Sequence, residues 1–181
     1  MVLATLSFFF FLHSVASPIS ATTHQKVQSH LLQKACNRTH EYQNLCLKVL
    51  KSDPQTASAS TPLALANGVL KMAMSDTIMA SERIRVLLTS KYTKPAYKAA
   101  MEGCIYWYNV AAGDFNVSMR ELNEDPPTAN YDAMLAGTQT QYFQNALASD
   151  RVQVPEIVTL NIKLVFFSLV AGASIDIVEL N

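Results

Sequence analysis

Three cysteines, at positions 36, 46 and 104, are the side chains in this sequence most able to do covalent chemistry, and their spacing separates two cases. Cys36 and Cys46 flank a short joint near Arg38 to Glu41, so a disulfide between them would staple an elbow and contribute roughly 2 to 3 kcal/mol in the chain-entropy model. Two buried free thiols are the other way to satisfy the same pattern. Cys104 falls on an apolar stripe and reads as a small buried hydrophobe with an unpaired thiol; pairing between chains is its alternative. His24, His30 and His40 lack the paired helical spacing of a zinc motif, and no second cysteine stands near Cys104 to make a metal or redox site. Glu121, Glu124 and Asp125 cluster, yet they read as a solvated helix end. There is no glycine-rich phosphate loop, no nucleophile elbow and no Glu-x-x-His pair, so neither catalytic residues, nor metal ligands, nor a cofactor site are expected.

The elements that must carry these residues are helical. The chain has 181 residues, 50% hydrophobic, with only five glycines, which disfavours a sheet-and-turn architecture. Fourteen basic and fourteen acidic residues leave a formal net charge of +0, which excludes the electrostatic footprint of a nucleic-acid or anionic-membrane binder. Pro54, Pro62, Pro95, Pro126, Pro127 and Pro155 fall between long proline-free stretches. Thr61-Pro62 and Val154-Pro155-Glu156 read as helix starts. Four stripes with three-four spacing follow: Leu63, Ala66, Leu70, Ala73, Thr77, Ala80, Ile84 and Leu87; Tyr97, Met101, Cys104, Tyr108, Ala111, Phe115, Ser118 and Leu122; Ala129, Ala133, Ala136, Thr140, Phe143 and Leu147; Ile157, Leu160, Leu164, Phe167, Ala171, Ser174 and Val178. Short connections make neighbours antiparallel, which predicts an all-α, up-down-up-down four-helix bundle over about 61–180 with an N-terminal helical hairpin over about 26–52. The nearly unbroken apolar run Leu164 to Ile175 is bracketed by Lys163, Asp176 and Glu179 and reads as a buried bundle helix, too short to span a membrane.

Residues 1–21 contain no Asp, Glu, Lys or Arg, and the apolar block Val2 to Leu12 has signal-peptide length, with Ala16 or Ala21 before the cut. Removal would leave 22–181 as one domain with no membrane segment. Asn37-Arg38-Thr39 and Asn116-Val117-Ser118 are N-glycosylation acceptors that fit the same secretory route.

Cys36-Asn-Arg-Thr39 followed by Tyr42 and Cys46, then Leu47-Lys-Val-Leu-Lys-Ser-Asp53-Pro54, resembles the opening of the plant invertase and pectin methylesterase inhibitor family. Leu63-Ala-Leu-Ala66 and Cys104-Ile-Tyr-Trp-Tyr108 are also similar to it, so the resemblance runs from about Lys26 to the C-terminus. It implies a secreted bundle of the cell wall (apoplast) or vacuole, without catalytic residues or cofactor, that docks noncovalently on acid invertase (β-fructofuranosidase) or pectin methylesterase. Two departures stand out. The family's fourth cysteine falls at about Phe143 or Tyr142, so Cys104 loses the partner the family gives it. The Pro-Lys-Phe element with which invertase inhibitors enter their target corresponds to Asp125-Pro126-Pro127-Thr128, which keeps only the first proline; Glu124 to Thr128 is therefore the candidate target-binding loop. A bundle that binds without inhibiting, or the pro-region of a pectin methylesterase, are the competing expectations.

Overall fold

Pro54, Pro62, Pro95, Pro126, Pro127 and Pro155 begin or closely follow the start of a helical segment, where a missing N–H costs nothing because the first turn has no intrahelical acceptor for it. The computed structural model describes residues 18–91, 93–149 and 154–180. Helix α1 (Pro18–Cys36) leads through a 3-10 segment (Asn37–Tyr42) into α2 (Gln43–Ser52) and a single turn, α3 (Pro54–Ala57). The bundle helices follow: α4 (Pro62–Thr89), α5 (Lys98–Glu121), α6 (Pro126–Ser149) and α7 (Pro155–Glu179). Among the described residues there is no strand.

Local chemistry fixes the boundaries. Thr61 caps α4 by accepting the Ala64 N–H at 3.1 Å, and Asp53 caps α3 by accepting the Thr56 N–H at 2.8 Å. In the bundle, α4 packs on α5, α5 on α6, α6 on α7 and α7 back on α4, which closes the ring of an up-down-up-down arrangement. The four stripes face the middle of that ring, with one correction: Leu63 is 37% exposed, and the buried line at the start of α4 runs through Leu65, Ala66 and Val69 instead. The side chain of Phe143 lies outside the described residues. Across the core the Tyr108 hydroxyl donates to Asn161 Oδ1 at 2.7 Å, a polar pin between α5 and α7 with both residues fully buried.

Helix α7 is, by length and composition, the one helix among the described residues apolar enough to cross a membrane, with mean hydropathy 1.8 over its most apolar window. That window is 61% buried, by α4, α6 and the hairpin. Tyr42 meets Phe166 edge-on at 5.8 Å and Arg38 pairs with Asp176 at 3.5 Å, so the elbow rests on α7 from its middle to its C-terminal end.

Helix α1 is described from Pro18, upstream of the expected hairpin start at about 26 and inside the expected leader; the remainder of that leader, 1–17 with Ala16, lies outside the described residues. At the elbow Cys36 and Cys46 are joined by a disulfide with Cα atoms 5.5 Å apart. Between them His40 takes φ 48° and ψ −114°, the one positive φ of a non-glycine residue among those described. Such a conformation costs on the order of 1 to 3 kcal/mol. Closure by the disulfide and the Thr39 hydroxyl bond to the Cys36 carbonyl hold it in place.

Helices α6 and α7 approach closely at two glycines, Gly137 and Gly172. A Cβ on Gly137 would sit 2.5 Å from Ser168 Oγ and 2.7 Å from its Cβ, whereas Gly113, on the outer side of α5, has nothing within 4 Å. Gly137→Ala should therefore lower stability by about 1 to 3 kcal/mol, while Gly113→Ala should raise it by about 0.5 to 1 kcal/mol through helix propensity, as read by urea unfolding.

Candidate functional site

Three positions spaced by seven, Trp107, Asp114 and Glu121, form a line on the flank of α5 that faces α6, since seven residues are close to two helical turns. Each finds a partner on α6. Trp107 stacks on Tyr142 with ring centroids 4.7 Å apart and planes at 16°, and Tyr106 adds an edge-on contact to Trp107 at 5.1 Å. Asp114 Oδ2 accepts from Gln139 Nε2 at 3.0 Å, and the Glu121 carboxyl meets that of Asp132. The result is an outer seam, aromatic at one end and acidic at the other, with Tyr106 and Tyr142 more than half exposed.

The acidic end has unusual protonation. Partial burial pushes the Asp114 carboxyl up, with the charge of Asp132 adding to the shift and the Gln139 bond opposing it. Glu121 is also raised, first by desolvation, then by the bond to Asp132 and the charges of Asp132 and Asp125, with Arg120 acting against. Its Oε2 is buried without a partner. An oxygen buried without a partner, beside other carboxylates, favours the protonated form of Glu121. Asp125 goes the other way: bonds from the Thr128 hydroxyl at 2.7 Å and the Thr128 N–H at 3.2 Å hold it below its usual value.

Those same bonds correct the reading of 124–128 as a loop. Asp125 caps α6, and Pro126, Pro127 and Thr128 are its first turn; only Leu122 to Asp125 lie between the helices. The cap geometry of Asp125 and the fixed φ of the prolines make the stretch rigid and helical. Glu121 likewise departs from the expected solvated face, being half-buried against Asp132.

A model of the plant invertase/pectin methylesterase inhibitor family matches residues 30–149. The chain belongs to this family. No curated protein matches it significantly. The region matched by the inhibitor family runs from α1 through the elbow, α4 and the whole α5–α6 seam; α7, beyond it, completes the bundle.

Where the family resemblance puts its fourth cysteine, at about Phe143 or Tyr142, α6 offers Tyr142, whose ring lies on Trp107 one turn along α5 from Cys104. An aromatic stack thus joins α5 to α6 at the position where the family resemblance places a covalent tie. Cys104 itself is fully buried and carries a free thiol that burial pushes up to about 12, which keeps it protonated at neutral pH. Asn37 and Asn116, the two sequons, are both exposed. Asn116 follows by seven the Asn109 that accepts from Ser81 of α4, so it lies on the flank of α5 away from α6. Among the described residues no group of three or more His, Cys, Asp or Glu converges as metal ligands would. The sequence reading set α5 beside α6 but did not single out Trp107 and Asp114, or the burial of Glu121, because these residues flank the core stripe; their own heptad spacing was the available signal.

Two measurements follow. Peptide mapping without reduction should recover Cys36 linked to Cys46, with Cys104 unreactive toward thiol reagents until the protein unfolds. The folded protein holds the Glu121 proton more tightly than the unfolded chain does, so stability falls as pH rises from the ordinary value of 4.5 toward the raised one. Glu121→Gln removes that loss: its Tm should exceed the parent's at neutral pH, and the difference should shrink below about pH 4.

Proposed function

We propose that this protein is a secreted inhibitor that covers the active-site cleft of a plant carbohydrate-active enzyme, acid invertase or pectin methylesterase, by noncovalent docking. The observation that carries this reading is the inhibitor-family match, which extends from the elbow through the bundle to the end of α6. The α5–α6 seam with Glu124, Asp125, Pro126, Pro127 and Thr128 at its end is the contact surface in this reading. A packed helix pair offers preorganised polar side chains and aromatic anchors at low entropic cost. The hairpin is the alternative docking element. Residues 1–21 direct the chain to the secretory route and are removed, leaving 22–181 in the apoplast or vacuole, with Asn37 and Asn116 as glycan acceptors. A glycan at Asn116 leaves the α6 side of α5 clear. The loss of the fourth cysteine and of Pro-Lys-Phe favours, as the second reading, a family member that binds without inhibiting.

Titrating the purified protein against acid invertase and pectin methylesterase at mildly acidic pH separates these readings. Saturable inhibition of one enzyme is expected, and Asp114→Lys should weaken it by about tenfold or more, the equivalent of ~1.4 kcal/mol at the interface. For an invertase target, Pro127→Lys with Thr128→Phe should tighten inhibition by a similar factor; for a pectin methylesterase target the pair should change little. A folded protein that slows neither enzyme would leave the binding bundle without inhibition.

A further inference from the structure

Each of the two glycosylation triplets loses its hydroxyl to the fold. Asn37 and Asn116 are exposed, but the third residue of each triplet is not: Thr39 is 3% exposed and Ser118 is fully buried. The Thr39 hydroxyl donates to the Cys36 carbonyl at 2.8 Å, and the Ser118 hydroxyl donates to the Ala129 carbonyl of α6 at 2.7 Å. A transferase that attaches an oligosaccharide to asparagine must hold that hydroxyl and draw the triplet out as an extended segment. Folding therefore closes both acceptors.

The two closures differ in range. Asn37 to Thr39 lie wholly between Cys36 and Cys46, in the 3-10 segment that the disulfide ties at both ends. Cys46 follows Thr39 by seven positions, which at about 5 to 20 residues per second is roughly a second of synthesis. The bond at Ser118 waits instead for α6, which must be made and packed before its Ala129 carbonyl can accept. Until then α5 lacks the packing from which a protein helix draws most of its stability. The elbow closes early and the second triplet late.

We propose that closure of the Cys36–Cys46 disulfide and attachment of a glycan at Asn37 compete for the same stretch of nascent chain, so that the redox state of the secretory compartment sets the occupancy of Asn37 but not of Asn116. The inference rests on the secretory reading above. In one branch the Asn37 Nδ2 attacks C1 of an oligosaccharide carried on a lipid pyrophosphate: an N–C bond replaces the C1–O bond, the amide gives up a proton and the lipid pyrophosphate leaves. In the other, the two thiols give two electrons and two protons to a disulfide-carrying oxidoreductase of the lumen. Disulfide formation takes from seconds upward, the timescale on which the chain emerges, so neither branch wins outright. The order matters in one direction only. A closed elbow keeps the Thr39 hydroxyl on the Cys36 carbonyl and cannot extend, whereas a glycan attached first sits on an exposed residue and leaves both sulfurs free to join.

Expression of the full chain in a eukaryotic secretory host, followed by mass mapping of its glycopeptides without reduction, tests the competition. In the parent, Asn37 should be occupied in a smaller share of chains than Asn116, with the Cys36–Cys46 bridge present whether or not Asn37 carries a glycan. Cys46→Ser, which leaves the triplet untouched, should raise Asn37 occupancy to the level of Asn116 and leave Asn116 as it was. Brief dithiothreitol treatment of cells making the parent chain should do the same, which keeps the test independent of how well the variant folds. Equal occupancy of the two sites in the parent, or an Asn37 occupancy that neither Cys46→Ser nor reduction changes, overturns the competition while the glycan on Asn116 still reports a secreted chain. A chain that keeps residues 1–21 and carries no glycan at either site overturns the secretory reading, and this proposal with it.

Discussion

Gly137 and Ser168 approach so closely that a methyl group would not fit between them, and the rest of the bundle is arranged around that contact. The serine hydroxyl donates to the Ala133 carbonyl at 2.9 Å, and on the other flank of α6 the Ser118 hydroxyl donates to the Ala129 carbonyl at 2.7 Å. Helix α6 is thus clasped from both sides through its own backbone, which requires small residues at Ala129, Ala133, Ala136 and Gly137. A helix so thin contributes little apolar volume. Tyr108 and Phe115 on α5 and Phe166, Phe167 and Ile175 on α7 must supply it, which is why α7 is apolar nearly all round. On its side toward α5, helix α6 places Tyr142 within stacking distance of Trp107 and Gln139 within hydrogen-bonding distance of Asp114.

Much of this was legible in the sequence because the signals were local. Thr61-Pro62 announces a cap and a first turn, and the stripes through Cys104, Tyr108, Ala111 and Phe115 read out a buried face that the fold then buries. What escaped had its cause elsewhere in the chain. Asp125 looks like loop until its carboxylate is seen to cap α6. Glu121 reads as solvated because nothing nearby in sequence reveals Asp132, eleven positions away across a turn. The site was less legible than the fold for the same reason: a seam is a property of two helices, and periodicity describes one at a time.

The hairpin and the seam are stabilised by different means. The elbow is covalent, with Cys36–Cys46 closing around a strained His40, and it rests on α7 through Tyr42 and Arg38. The α5–α6 seam relies instead on an aromatic stack, a carboxyl pair and a cap. Its surface therefore responds to proton concentration, whereas the elbow responds to redox conditions.

Helix α7 touches α4, α6 and the hairpin, and it is the last of these to be synthesised. Until it emerges, α4 and α6 have no partner on that side and the elbow has no platform. A growing chain that has reached Ser149 can close its disulfide and pair α4 with α5 and α5 with α6, but it exposes the entire groove α7 will fill. Assembly is then a single late insertion, of the kind that leaves a nascent protein exposed to aggregation and to chaperone capture until its final segment arrives.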